Sequence, residues 1–369
     1  MTSGKRILVL NWRDTSHKFS GGAETYIHEL AKRWVSAGHA VTQFSGNDGS
    51  QSREELLDGV QMIRRGGFYF VYVWAFFYYT FRFRGTFDLI IDCQNGIPFF
   101  SPLYAREPVY CLLHHVHQEV FHKYLPKPLA HFAAFLEARV MPYVYKDTKF
   151  ITVSNSSHQE MADLGLGLAG TEVVYPGVDL SLLRPGQQSI TPLVLYLGRL
   201  KAYKSVDVLI RSFEKVLLEV PNARLVIAGG GEDEFRLRAV SEKLGLGEQV
   251  EFLGKVSDVE KLALLQQAWV FVNPSMMEGW GITTIEANAC GVPVVASDVP
   301  GLRESVRADK TGLLVAHGDV AELATAISTL LSQNKTRERM AKNALAWANE
   351  FDWDASASKS GRVLGLDSF

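Results

Sequence analysis

Glu278 and Glu286 flank the seven residues Gly-Trp-Gly-Ile-Thr-Thr-Ile in a chain of 369 residues. A carboxylate accepts hydrogen bonds on both oxygens, so a spaced pair suits the hydroxyls of a sugar or a ribose. Gly279 and Gly281 free the backbone at a turn, and a helix start is read there. A helix N-terminus offers unpaired N–H groups and the positive end of a dipole, which favour a phosphate. A helix-dipole partner explains one glutamate, but not two glutamates with two glycines. Upstream, Gly198-Arg199-Leu200-Lys201-Ala202-Tyr203-Lys204 puts a guanidinium fork and a point charge in one loop, where both can meet a phosphate. A solvated basic loop is the ordinary alternative. Gly229-Gly230-Gly231 follows a strand-like run and lets a ligand approach the backbone. The dinucleotide pattern GxGxxG is absent, and a plain tight turn is the alternative there.

The first half carries His114-His115-Val116-His117, with Glu119 and His122 nearby. Imidazoles bind zinc or copper, so a metal reading stands beside a polar-loop reading. His131 sits alone in a helical stretch and is expected to be a hydrogen-bonded structural residue. Ser154-Asn155-Ser156-Ser157 reads as a helix N-cap.

Positioning these loops requires strands that end where the loops begin. Arg6–Leu10, Val41–Phe44, Leu89–Asp92, Val109–Leu113 and Phe150–Val153 read as strands. Ile27, Leu30, Ala31, Trp34 and Val35 recur at helical spacing and stop near Gly38, and Leu129–Val140 is a second helical pattern. Another series runs through Leu193–Leu197, Leu225–Ala228, Val250–Leu253, Val270–Val272 and Val294–Ala296. Helical segments near Val206–Val220, Glu234–Leu244 and Val259–Gln267 separate these strands. Such alternation predicts two α/β halves, each a doubly wound parallel sheet. Ligands of such sheets bind outside the carboxyl ends of the strands. Ser181–Pro192, with Pro185, Gly186, Gln187 and Gln188, reads as the linker.

Composition limits the rest. The length predicts two domains. A hydrophobic share of 47%, a charged share of 21% and a net charge of −2 exclude disordered and fibrous classes. They also remove any general electrostatic case for nucleic-acid binding. Cys93, Cys111 and Cys290 are too scattered for a disulfide framework or a CxxC zinc site. Met1–Arg6 leads into a strand-like run without a signal-peptide pattern, so a cytoplasmic location is expected. Phe68–Phe81 is apolar and aromatic nearly throughout, flanked by Arg64, Arg65, Arg82 and Arg84. It is short for a membrane span. A helix buried in a large core is one reading. The other is a helix lying in a membrane interface, on the inner leaflet.

Taken together, the second-half motifs resemble the glutamate–seven residues–glutamate signature of retaining glycosyltransferases, specifically glycosyltransferase family 4 of the GT-B fold. The continuation Glu286-Ala-Asn-Ala-Cys-Gly-Val-Pro-Val-Val-Ala-Ser-Asp and Pro300-Gly301 fit the same pattern. So do Gly198-Arg199 with Lys204, Tyr175-Pro176-Gly177-Val178-Asp179, and Gly21-Gly22-Ala23-Glu24. The resemblance covers essentially the whole chain. It implies two Rossmann-like domains facing across a cleft. The N-terminal, acceptor-binding domain would span 1–182 plus about 352–369, where the last helix crosses back. A linker at 183–192 and a C-terminal donor domain at 193–351 complete the expectation.

The resemblance also implies roles. Arg199 and Lys204 would bind the donor diphosphate, Glu286 the ribose and Glu278 the donor sugar. Backbone at Gly279, Trp280, Gly281, Ile282 and Thr283 would contact sugar and phosphate. Gly22, Gly198 and Gly230 would lie along the donor. His114 would stand at the family's strand-end histidine, close to the donor sugar, with His115, His117 and His122 as polar loop or acceptor-side residues. The implied reaction is hexosyl transfer from a nucleoside-diphosphate sugar, UDP or GDP, to a glycan or lipid-linked glycan, as in polysaccharide biosynthesis. It needs no metal or other cofactor, retains configuration, and uses the leaving phosphate as base. Trp280 stands where phenylalanine is frequent, and Ser205 where glycine is common. A GT-B nucleotide-sugar epimerase, or a non-catalytic nucleotide-sugar-binding protein, is the alternative.

Overall fold

The computed structural model describes residues 4–118, 121–122 and 126–366; Glu119 lies outside them. The chain forms two compact units, Met1–Pro176 with Trp353–Phe369, and Gly177–Asp352.

Unit 1 is built on eight strands: β1 (Arg6–Leu10), β2 (Ala40–Ser45), β3 (Glu54–Leu57), β4 (Val60–Arg64), β5 (Leu89–Gln94), β6 (Val109–Leu113), β7 (Lys149–Thr152) and β8 (Thr171–Val173). Their spatial order is β3-β4-β2-β1-β5-β6-β7-β8. All neighbours are parallel except the β3–β4 hairpin, which turns on Asp58-Gly59 with both residues at positive φ. Such a turn matches the twist of the strands it joins. β5 is buried at every position, as a strand covered on both faces must be. The helix Gly22–Ser36 buries Ile27, Leu30, Ala31 and Trp34 of the stripe expected from spacing, together with Tyr26, while Val35 is half-buried. The helix Trp353–Val363 lies against it, where Trp34 donates to the Ala357 carbonyl at 3.3 Å and Arg33 meets Asp354 at 2.6 Å.

The reading of Phe68–Phe81 as a core helix is overturned. The helix Gly67–Tyr78 buries only Val71 and Ala75, while Tyr69 is 75% and Phe70 65% exposed. A helix laid on one sheet face can bury one stripe, and here the side chains away from that stripe are exposed. Among the described residues, no helix is long and apolar enough to cross a membrane.

Unit 2 has six parallel strands: β9 (Leu193–Leu197), β10 (Arg224–Ala228), β11 (Val250–Gly254), β12 (Val270–Asn273), β13 (Val294–Ser297) and β14 (Gly312–Val315). Their order is β11-β10-β9-β12-β13-β14. The stretch expected as a linker, 183–192, belongs to this unit rather than standing between units. Ser189 N–H donates to the Gln267 carbonyl at 3.0 Å, and the Trp269 indole N–H donates to the Ser189 carbonyl at 2.9 Å. The division falls instead inside the Tyr175-Pro176-Gly177 motif. All three cysteines are buried and free.

Candidate active site

In unit 2 the reversal of strand order between β9 and β12 brings two loops together. The first leaves β9 at Gly198 and carries Arg199 and Lys204. The second leaves β12 at Asn273 and carries Glu278 into the helix Ile282–Ala289. Lys204 Nζ lies 2.5 Å from Glu278 Oε1, with both side chains about 15% exposed or less. Burial pushes the Lys204 ammonium down in pKa. The Glu278 carboxylate and Tyr203 outweigh that, so it stands above its ordinary value. Arg199 Nη2 donates to Tyr203 Oη at 3.3 Å. Two cations and a carboxylate are thus assembled in one place.

Two residues that the sequence reading missed hold Glu278. Ser275 Oγ donates to Glu278 Oε1 at 3.0 Å, and Asn273 Nδ2 approaches the same oxygen at 3.4 Å. Asn273-Pro274-Ser275 at a strand end is a loop signal that could have drawn attention to them. Glu286 also has an unforeseen partner. Lys261, in the helix Asp258–Gln267, reaches its Oε1 at 2.9 Å. Nothing local in the sequence links these two positions.

The glycines divide by cause. A Cβ on Gly229 would meet the Gly198 carbonyl oxygen at 1.9 Å, and one on Gly231 the Leu200 oxygen at 2.1 Å. Both are needed for packing of the protein itself. A Cβ on Gly230 would meet nothing within 4 Å, so that position borders open space. Gly281 precedes the helix at φ +83°, leaving the helix N-terminus without a side-chain cap. Trp280 is buried edge-on against Phe351 at 5.1 Å, so its ring packs the loop. The glycine-to-serine departure has a visible accommodation. Ser205 takes φ +51°, the left-handed region, and its Oγ pairs with His317 Nε2 at 3.0 Å.

In unit 1, Gly22 opens the helix Gly22–Ser36. Glu24 turns back to accept from Gly21 N–H at 2.7 Å and pairs with Arg13 at 2.9 Å. Its carboxylate therefore fixes the loop. His114 follows β6 and is buried, its ring edge-on to Tyr26 at 5.3 Å. Its carbonyl accepts from Ser157 Oγ at 2.6 Å, and its Nε2 has no hydrogen-bond partner among the described residues. Ser154 caps the helix Asn155–Asp163 as expected. His117 is tied to buried Glu137, its ring 4.3 Å from that of His115. His131 Nδ1 pairs with the Lys127 carbonyl at 2.6 Å. Among the described residues, no three His, Cys, Asp or Glu side chains gather as a metal site.

Burial, with His117 adding to it, pushes His114 down to about 3 from an ordinary 6.5. The imidazole is therefore neutral at working pH, fit to exchange hydrogen bonds with a hydroxyl. Between those two values the unfolded chain binds the extra proton, so this residue costs stability as pH falls through that window. The urea midpoint of wild type should drop more between about pH 7 and pH 4.5 than that of His114→Gln. Equal drops would show that His114 is not buried in this way.

Comparison with known proteins agrees with this layout. Residues 20–182 match the family model described as Glycosyltransferase Family 4, and residues 185–347 the one described as Glycosyl transferases group 1. D-inositol 3-phosphate glycosyltransferase of Corynebacterium efficiens is 35% identical over 208 residues, 51% of this chain and 49% of that protein. Its namesake in Mycobacterium marinum is 34% identical over 218 residues, 53% of this chain and 46% of that protein. The chain thus spans about half the length of the curated relatives it matches. Sucrose-phosphate synthase of Thermosynechococcus elongatus superposes with a TM-score of 0.84 at 23% identity, covering 98% of each chain. HepE of Anabaena, solved with UDP-glucose, gives 0.78 at 21% identity over 98% of this chain and 99% of its own. With both halves matched, two mostly parallel sheets of this topology and the paired glutamates in place, the chain belongs to glycosyltransferase family 4 and has the GT-B fold.

Proposed function

We propose that the protein moves a sugar from a nucleoside-diphosphate sugar to a hydroxyl acceptor, a glycan or lipid-linked glycan, with retention of configuration. The Lys204–Glu278 pair at the mouth of the Ile282–Ala289 helix carries this reading. Arg199 and Lys204 take the diphosphate and offset charge as the sugar–phosphate bond breaks. The backbone from Gly279 to Thr283 adds N–H groups to the sugar and phosphate. Glu278 holds hydroxyls of the donor sugar and Glu286 those of the ribose. Fixed dipoles and charges aimed at developing charge are usually the largest catalytic contribution. His114, neutral, hydrogen-bonds a sugar hydroxyl. The acceptor attacks from the face that the leaving group vacates, and the departing phosphate takes its proton. No metal is required. The relatives named D-inositol 3-phosphate glycosyltransferases support transfer to a hydroxyl, and the HepE complex with UDP-glucose supports a nucleoside-diphosphate sugar as donor. Work on the cytoplasmic side, with the aromatic helix of unit 1 against the membrane that holds a lipid-linked acceptor, completes the proposal.

Calorimetry against UDP-, GDP-, ADP- and dTDP-sugars, with EDTA present, tests it. One donor should bind, and EDTA should leave its affinity unchanged. Binding to none, or only with added metal, would overturn the reading. Donor turnover without any acceptor would favour an epimerase instead.

A further inference from the structure

The membrane contact of the preceding reading can be made specific, and the inference rests on that part of it. Two separate helical stretches of unit 1 reach one face of the eight-stranded sheet, the second through its Met141–Tyr145 end. Ile90 and Asp92 of β5 are two residues apart and share a face. Ile90 packs in the cluster that holds Val71 and Ala75 of the helix Gly67–Tyr78. Asp92 accepts from Tyr145 Oη at 2.6 Å, at the end of the helical stretch that begins with Lys127–Phe135. Tyr72 and Phe99, 4.8 Å apart, and Phe100 and Tyr145, 6.2 Å apart, fill the space between.

Both stretches turn aromatic side chains to solvent. On the first, Tyr69, Phe70 and Phe81 are 65–76% exposed, and on the second, Phe132, Phe135 and Tyr143 are 55–75% exposed. Isolated exposed apolar residues are ordinary, but a run this dense marks an interaction surface. Cations outnumber free acids beside it. Arg82, Arg84, Lys127, Arg139 and Lys146 are exposed. Of the nearby acids, Glu107 is engaged by Tyr79 Oη and Gly85 N–H, Glu54 by Arg65, and Glu137 is buried; Asp147 is exposed beside Lys146. Aromatic rings with a cationic rim match a headgroup layer of negative charge. A helix of twelve residues is too short to span and suits lying flat.

We propose that unit 1 docks on an anionic lipid bilayer through this two-stretch aromatic platform, Gly67–Phe83 together with Lys127–Val144. The test is flotation of the full chain with phosphatidylcholine vesicles, with and without about 30% phosphatidylglycerol. The protein should float with the anionic vesicles and be released by high salt. Phe70→Ser/Phe77→Ser and Phe132→Ser/Phe135→Ser should each weaken binding at least about tenfold, and Arg82→Gln/Arg84→Gln should do the same on anionic vesicles. Nucleotide-sugar binding by calorimetry should stay unchanged in all three, which separates failure here from failure of the transferase reading. Several results would overturn the platform: no flotation with anionic vesicles, equal flotation without phosphatidylglycerol, or indifference to either serine pair. A stable dimer that both serine pairs dissolve would assign the surface to a second copy and overturn it too.

Discussion

Glu278→Ala is expected to lower sugar transfer by about 100-fold or more, and Lys204→Ala by a similar factor. The two groups face each other at 2.5 Å, so each single change also strands a partly buried charge. The losses should therefore not add. The double variant should sit close to the worse single one, as groups acting as a unit do. Binding should divide the roles. Lys204→Ala should weaken the free nucleoside diphosphate, which carries the phosphates. Glu278→Ala should leave it nearly intact and weaken the full donor. Glu278→Gln, which keeps an oxygen for Ser275 and Asn273, is the control for folding. Near-normal transfer by a folded double variant would remove the site assignment.

Gly301→Ala should also be damaging, although the residue lies outside that loop, in the helix Pro300–Ser305. A Cβ there would lie 2.1 Å from the Glu278 carbonyl oxygen and 2.7 Å from the Gly279 carbonyl carbon. Those are backbone atoms, so no side-chain rotation relieves the overlap. Either the helix Pro300–Ser305 or the loop bearing Glu278 must shift. Such overpacking costs about 1–3 kcal/mol. A displacement of about 1 Å at a catalytic group can cost about 100-fold in rate. We expect a lowered melting temperature together with transfer reduced at least about tenfold. A fully active Gly301→Ala protein would show that the Glu278 loop is not held from this side.

Much of this was legible because strand ends and ligand loops are local in sequence. Leu193–Leu197 and Val109–Leu113 fold as strands over those same residues, since buried parallel strands are continuous apolar runs. Four strands did not announce themselves so plainly. β8 and β14 are short, the first half-buried throughout and the second of mixed burial. The β3–β4 hairpin carries its signal at Asp58-Gly59, but its strands are polar enough to read as a loop. In the site, Arg199, Lys204, Glu278 and Glu286 could be picked out because each stands beside a glycine or within a motif. Lys261 and His317 could not, because the sheet topology alone brings them to Glu286 and Ser205. The aromatic helix shows the opposite limit. Its sequence fixes apolarity on every side, whereas the number of layers around it decides how much is buried.

The helix Trp353–Val363 also sets an order of events during synthesis. It belongs to unit 1 but emerges after all of unit 2. Domains generally fold as units while the chain is being made. Residues 177–352 can therefore complete their core while the first 176 still lack a wall. Until position 363 has left the ribosome, Trp34 has no Ala357 carbonyl to meet and Tyr26 no Trp353 ring beside it. The half that is translated first is the half that closes last.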